Sequence, residues 1–231
     1  MGISSSIIKN YKQGEIWISE GIQIAQNLGY PIIEAMGYML RGYSLFSRDA
    51  DAEALVDLDK GLQLMRKNGF DMFWGWYPGI ILYLFKKAIV NDIENEYVKK
   101  VCKKRFESNI SVNGQIIPMI KIKILGDFRI TIIDRIIIES NDLTPKQRTF
   151  LGLLLSSPRL QISQEKTYSL MWPKESAGHA RRNLDTLLSR LRTLLRQLLD
   201  PQEVTDYLQV SKGIISLNNC IVDSREFSDL V

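Results

Sequence analysis

Between His179 and Arg196 the chain carries five arginines, Arg181, Arg182, Arg190, Arg192 and Arg196, against one acid, Asp185. Asn183, Thr186, Ser189 and Thr193 are interleaved with them. Guanidinium, amide and hydroxyl groups are the side chains that hydrogen-bond phosphate oxygens and base edges. A solvated helix face usually mixes signs and favours lysine and glutamate four residues apart, so this arginine run favours a polyanionic partner over a bland surface. Other candidate chemistry is sparse. His179 is the only histidine, and the two cysteines, Cys102 and Cys220, lie far apart. They offer neither a zinc ligand set nor a disulfide framework nor a Cys-His dyad. No paired carboxylates, nucleophile-base set or Gly-x-x-x-x-Gly-Lys-Ser/Thr run stands out. The expectation is a chain that is not an enzyme, with no cofactor and no metal.

The arginines need an element to array them. Turned at ~100° per residue, a helix from about Ala177 to Leu199 puts Leu184, Leu187, Leu188, Leu191, Leu195 and Leu198 on one stripe. Arg182, Thr186, Ser189, Thr193 and Arg196 fall opposite, with Asn183 and Arg190 flanking. Ser176 is the expected cap. Upstream, Thr144-Pro145-Lys146-Gln147 reads as a helix start: an N-cap hydroxyl, proline at N1 and a capping-box glutamine at N3. That helix runs to about Ser157, with Phe150, Leu151, Leu154 and Leu155 on one face. Ser163 starts a shorter helix expected to carry Tyr168, Leu170 and Met171 inward and to stop at Trp172-Pro173.

Strands flank these helices. From Met119 the apolar period becomes two: Ile120 to Leu125, then Phe128 to Ile133, then Ile136 to Glu139. This predicts a three-stranded antiparallel sheet with one face to be covered. After the long helix, Tyr207 to Val210 and Ile214 to Leu217 bracket Ser211-Lys212-Gly213, a hairpin with one cation at its tip.

The first hundred residues read differently. Gly21-Ile-Gln-Ile-Ala-Gln-Asn-Leu-Gly-Tyr30 is echoed forty residues later by Gly61-Leu-Gln-Leu-Met-Arg-Lys-Asn-Gly-Phe70. A period of this size with helix-turn-helix content marks a solenoid, whose units bury their faces against neighbours. Gly29 and Gly69 are the expected left-handed C′ residues. Ala35, Met39, Tyr43 and Phe46 line the helix between the copies, with Gly37 and Gly42 allowing close approach. Trp17, Tyr38, Tyr43, Trp74, Trp76 and Tyr77 are expected as core or inter-repeat packing rather than a ligand cage. The helical pattern stops near Phe106, and Glu107-Ser-Asn-Ile-Ser-Val-Asn-Gly-Gln supplies loop residues. The expected organisation is therefore a repeat segment at 1–106 (the end of a longer array), a linker at 107–118, a second domain at 119–220, and the start of a truncated following segment at 221–231.

Composition sets the outer bounds. The 231 residues are 45% hydrophobic and 24% charged, with a net charge of +4, as in an ordinary globular protein long enough for two domains. The N-terminus lacks a basic-then-apolar signal, and the most apolar run, Tyr77 to Val90, is broken by Lys86 and Lys87 and is too short to span ~30 Å of hydrocarbon. The expected location is cytoplasmic, with no membrane partner.

Two resemblances follow from these residues. Gly42-Tyr-Ser-Leu, a short polar turn, Ala52 to Leu58 and then Gly61-Leu-Gln-Leu resembles the tetratricopeptide repeat, of the MalT-like kind and with a longer period. Residues 119–220 resemble the OmpR-type winged helix in the version found in SARP-type bacterial activators. This likeness is carried by Ile124-Leu-Gly-Asp-Phe-Arg, Leu160-Gln-Ile-Ser, Leu170-Met-Trp-Pro and above all Ala180-Arg-Arg-Asn-Leu-Asp-Thr-Leu-Leu-Ser-Arg-Leu-Arg. Asp223-Ser-Arg-Glu-Phe-Ser-Asp-Leu resembles the opening of the bacterial transcriptional activator domain that often follows.

The fold these imply is mainly α with an α+β part: a tetratricopeptide-like α-solenoid, then a winged helix of three strands, three helices and a hairpin wing. The implied function is sequence-specific binding of double-stranded DNA within a bacterial transcriptional regulator, with the helix from Ala177 in the major groove and the wing on the backbone. Asn183, Thr186, Ser189 and Arg190 are the implied base readers. His179, Arg181, Arg182, Arg192 and Lys212 are the implied phosphate contacts, although Arg192 lies to the side and serves equally as partner of an internal carboxylate. RNA polymerase, a protein or effector held by the repeats, and a second copy on DNA are further partners compatible with the resemblance. The alternative is a module whose repeats and winged helix both bind protein, without DNA.

Overall fold

The computed structural model describes residues 11–132, 135–196 and 207–224. The protein is mainly helical with a small β part, and divides into two compact units, 1–116 and 117–231. Among the described residues no helix is long and apolar enough to cross a membrane.

The first unit is built from α1 (Tyr11–Leu28), α2 (Pro31–Phe46), α3 (Asp51–Lys67), α4 (Pro78–Val90) and α5 (Asn95–Phe106). Its core is apolar side chains at helical spacing, including Ala35, Met39, Leu58, Leu62, Leu84, Phe85 and Val98. The first four helices end alike. A left-handed residue, Gly29, Asp49, Gly69 or Asp92, is followed by an amide that bonds back five residues: Tyr30 to Ala25, Ala50 to Leu45, Phe70 to Met65 and Ile93 to Ala88, at 2.9–3.1 Å. Each satisfies carbonyls that the helix end leaves unpaired. The internal sequence echo is thus also a geometric one, because Gly29 and Gly69 close their helices with the same bond.

Small residues let these helices approach. A β-carbon on Gly37 would lie 2.5 Å from Ile22, and one on Gly61 would lie 3.0 Å from Met39. Across α1, α2 and α3 runs a buried charge system that the sequence reading missed. Arg41 donates through Nε and Nη2 to the two oxygens of Asp57 at 2.6 and 2.8 Å, and through Nη1 to Ser19 Oγ at 2.9 Å. The Asp57 side chain is 5% exposed. Its hydrogen bond and charge hold the guanidinium above its ordinary value despite the opposing effect of burial.

The aromatic expectation holds for part of its set. Tyr38 is buried and Tyr43 and Trp76 are half-buried, but Trp17, Trp74 and Tyr77 are 63%, 87% and 62% exposed. Apolar character alone does not say which side of a helix or loop faces the core. Residues 107–118, expected as a linker, instead carry two short paired strands, β1 (Ser108–Ile110) and β2 (Ile116–Pro118), with Ile110 buried.

The second unit continues with β3 (Ile120–Lys123), β4 (Arg129–Ile132), β5 (Arg135–Glu139), α6 (Pro145–Ser156), β6 (Gln161–Ser163), α7 (Gln164–Met171), α8 (Ala177–Arg196), β7 (Leu208–Ser211), β8 (Ile214–Leu217) and β9 (Cys220–Val222). One sheet has the order β5-β4-β3-β9 and a second β6-β8-β7. The first therefore has four strands where three were expected. β9 returns parallel to β3, with Ile120 opposite Cys220 and Ile122 opposite Val222. Asp223 then accepts from the amides of Ile124 and Leu125 at 3.0 Å each. Residues 221–224, the first part of the segment expected at 221–231, therefore belong to this unit, and 225–231 lie outside the described residues. Three residues are too short a run to show a strand by periodicity, and a parallel partner a hundred residues away leaves no local signal.

The helices start where their chemistry dictates. Thr144 and Gln147 form the reciprocal capping box, and Ser163 Oγ accepts from the Lys166 amide at 3.1 Å. The core gathers Ile120, Ile122, Phe150, Leu154, Leu184, Leu188, Leu191, Tyr207 and Ile215. Leu170 departs from expectation at 51% exposure. The inner face of α7 is Thr167, Tyr168 and Met171, and Trp172 takes the buried place beyond it. Leu198 lies outside the described residues.

Candidate functional site

Helix α8 is two-sided. Ala180, Leu184, Leu187, Leu188, Leu191 and Leu195 are buried, whereas Arg182, Thr186, Ser189, Arg190, Thr193 and Arg196 are exposed. A leucine stripe buried in the core fixes the helix rotation, so the polar face is held outward.

The β7–β8 hairpin turns on Lys212 and Gly213, both with positive φ, 49° and 77°. Two left-handed residues in a two-residue loop make the turn that matches strand twist, normally filled by Asn-Gly. A lysine in the first position is sterically disfavoured, and it puts a cation at the hairpin tip. The tip is tied down. Strand β6 pairs with β8 so that Ser163, the cap of α7, lies opposite Ile214, and the Gln164 amide donates to the Gly213 carbonyl at 2.8 Å.

These connections bring three element ends together. The start of α7 (Ser163, Gln164, Glu165), the first turn of α8 (Ala177, Gly178, Arg181) and the tip Lys212-Gly213 line one open cleft of about 650 Å³. Arg181 and Lys212 supply its positive charge and Glu165 its negative charge. Among the described residues Arg181, Arg182, Arg190 and Lys212 make no ion pair. His179 is exposed on the first turn.

The nine expected contact residues do not all share this surface. Thr186, Ser189 and Arg190 project outward from the middle of α8, although the Thr186 hydroxyl donates to the Arg182 carbonyl at 2.9 Å. Asn183 is half-buried and donates to Glu175 Oε2 at 2.6 Å. Glu175 was not foreseen. It lies before the helix, and no periodic signal marks an acid that folds back.

Arg192 is the clear departure. At ~100° per residue it sits only ~20° from Arg181, on the edge of the leucine stripe. Its Nε and Nη2 donate to the Leu208 carbonyl at 3.4 and 3.2 Å. This arginine fastens α8 to β7, through a carbonyl rather than the carboxylate considered from sequence. Among the described residues no group of three or more His, Cys, Asp or Glu could hold a metal ion.

No family model, curated protein or solved structure matches this chain.

Proposed function

We propose that the second unit is a winged helix that binds double-stranded DNA sequence-specifically, α8 serving as the helix laid in the major groove and the β7–β8 hairpin as the wing. In this reading the first unit is a tetratricopeptide-like solenoid segment, and the whole is part of a bacterial transcriptional regulator. The observation that carries the proposal is the cleft where two helix starts meet the hairpin tip, with the cations Arg181 and Lys212 in its lining. Arg182 and Arg190 are further exposed cations on α8. A helix with one buried stripe and one polar stripe of Arg, Asn, Thr and Ser has the form and chemistry that groove recognition needs.

Phosphate contacts supply most of such affinity and base contacts its selectivity. Arg181, Arg182 and Lys212 take the first role; Asn183, Thr186, Ser189 and Arg190 take the second. Arg192 is assigned to neither.

The test is anisotropy of a labelled duplex titrated with the whole chain at several salt concentrations, for the natural protein and for Arg182→Ala combined with Arg190→Ala. Affinity should fall linearly on a log-log plot against salt, with a slope of ~0.9 per phosphate contacted, and the double variant should bind weakly. Salt-independent or absent retention, unchanged in the variant, would remove the proposal in favour of protein binding by both units.

A further inference from the structure

The loop from Phe70 to Tyr77, between α3 and α4, divides its apolar side chains between two environments. Phe73 is 3% exposed and meets Trp76 edge-on at 5.0 Å, while Trp76 stacks on Phe106 of α5 at 6.0 Å. Met72, Trp74 and Tyr77 face solvent. An indole that open is unusual, because Trp is on average a largely buried residue.

The loop is nonetheless fastened. Asp71 pairs with Lys104 and with Arg105, whose Nε donates to it at 3.0 Å, and Tyr97 OH donates to the Phe70 carbonyl. The two cations hold the Asp71 carboxyl below its ordinary value. Exposed aromatics on a fastened loop lose little conformational freedom on binding, which favours association.

The helix that holds this loop is basic. Helix α5 carries Lys99, Lys100, Lys103, Lys104 and Arg105. Lys99 pairs with Glu96, and Lys104 and Arg105 pair with Asp71. Lys100 and Lys103 are exposed and make no ion pair among the described residues. They stand one turn before and one residue before Lys104, on the helix that anchors the loop.

We infer that the exposed Met72, Trp74 and Tyr77, together with Lys100 and Lys103 of the helix that holds their loop, dock a short acidic segment of a partner protein that also carries an apolar side chain. Trp, Tyr and Met are the residues enriched in protein interfaces, and the energetic centres of interfaces favour Trp and Tyr. Exposed lysines on the adjoining helix select a partner of opposite sign. Exposed Glu96 interrupts the basic run of α5. An acid there opposes the continuous charge of a nucleic acid or an anionic membrane, whereas a short peptide can place its own acids away from it.

The probe is a labelled short peptide alternating Asp or Glu with Leu or Phe, titrated with the whole chain in the absence of DNA, so that the result is independent of the DNA proposal. Its controls are the same peptide with Asn and Gln for the acids, an oligothymidylate strand, and phosphatidylserine vesicles. Saturable binding of the acidic peptide is expected. Trp74→Ala, and Lys100→Glu combined with Lys103→Glu, should each weaken it about tenfold or more, with circular dichroism unchanged because all three side chains are exposed. Raising salt from about 0.1 M to about 1 M, which shortens the screening length from ~10 to ~3 Å, should erase the effect of the lysine pair and leave that of Trp74. Absence of saturable binding, equal binding by all the proteins, or tighter binding to the oligothymidylate or vesicles than to the peptide would overturn the inference.

Discussion

The carboxamide of Asn183 donates to Glu175 Oε2 at 2.6 Å, so an acid from the turn before α8 holds a side chain on the polar edge of that helix. One amide hydrogen is engaged, leaving the second hydrogen and the carbonyl oxygen, the pair with which Asn reads adenine. The carboxylate therefore fixes the plane of the amide while repelling phosphate. Glu175→Gln should raise affinity for all duplexes, since a negative charge leaves the side of α8 proposed to face DNA. Asn183→Ala should cost ~1 to 3 kcal/mol on the preferred duplex and flatten discrimination at one base pair. Titrations on matched and mismatched duplexes measure both; lower affinity for Glu175→Gln on every sequence contradicts the first.

Arg41 and Asp57 form a two-bond link between α2 and α3 of the helical unit. Removing one member of a buried pair leaves the other charge desolvated and unpaired, a loss of ~3 to 5 kcal/mol for a fully buried pair. Asp57→Ala should fall at or below the low end of that range, because the Arg41 side chain is 25% exposed and water can reach it. Urea denaturation followed by circular dichroism reads the shift, and a change under about 0.5 kcal/mol would show that the pair holds nothing together.

Cys102 is fully buried in α5, and desolvation pushes its thiol from 9.0 up to about 11. A raised pKa in the folded state favours the protonated form there. Its contribution to stability is therefore intact below pH 9, where the unfolded chain keeps the proton, and is lost as pH rises through about 11. Stability measured against pH should decline across that window and decline less in Cys102→Ala. At pH 8 a thiol reagent should modify Cys102 only as fast as the unit opens, and modification at the rate of an exposed cysteine would refute its burial.

What sequence shows and what it hides divides along the range of the interaction. The capping box of Thr144 and Gln147, the Ser163 cap, the left-handed Gly29 and Gly69 and the leucine stripe of α8 are local, because each joins residues within about one or two turns. The pairing of β9 with β3, the anchoring of Arg192 on Leu208 and the bridge from Arg41 to Asp57 join distant segments, and no spacing rule predicts them. Trp74 and Leu170 show the same limit. Hydrophobicity marked them as apolar, but only the packing of Phe73, Trp76, Thr167 and Trp172 decides that these two are left outside.

Arg190 and Arg192 are two residues apart on one helix and should respond to truncation in opposite ways. Arg190 is exposed and without an ion pair among the described residues, whereas Arg192 is half-buried and bonded to the Leu208 carbonyl. Arg190→Ala should leave stability within ±0.5 kcal/mol, roughly the range of a surface change, and should weaken the preferred duplex more than unrelated sequences. Arg192→Ala should lose ~1 to 2 kcal/mol of stability, because it leaves the Leu208 carbonyl short of a charged donor and removes the packed stem of the arginine. Its effect on DNA should be small while the protein stays folded. Lys212→Ala supplies the third pattern: an exposed cation at the hairpin tip, whose removal should weaken all sequences alike and reduce the salt slope by about one. Paired denaturation and duplex titrations distinguish the three. If Arg192→Ala matches Arg190→Ala in both measurements, the bond to Leu208 does not hold α8 against β7. If Arg190→Ala and Lys212→Ala are indistinguishable on matched and unrelated duplexes, the division between base reading on α8 and phosphate contact at the hairpin fails.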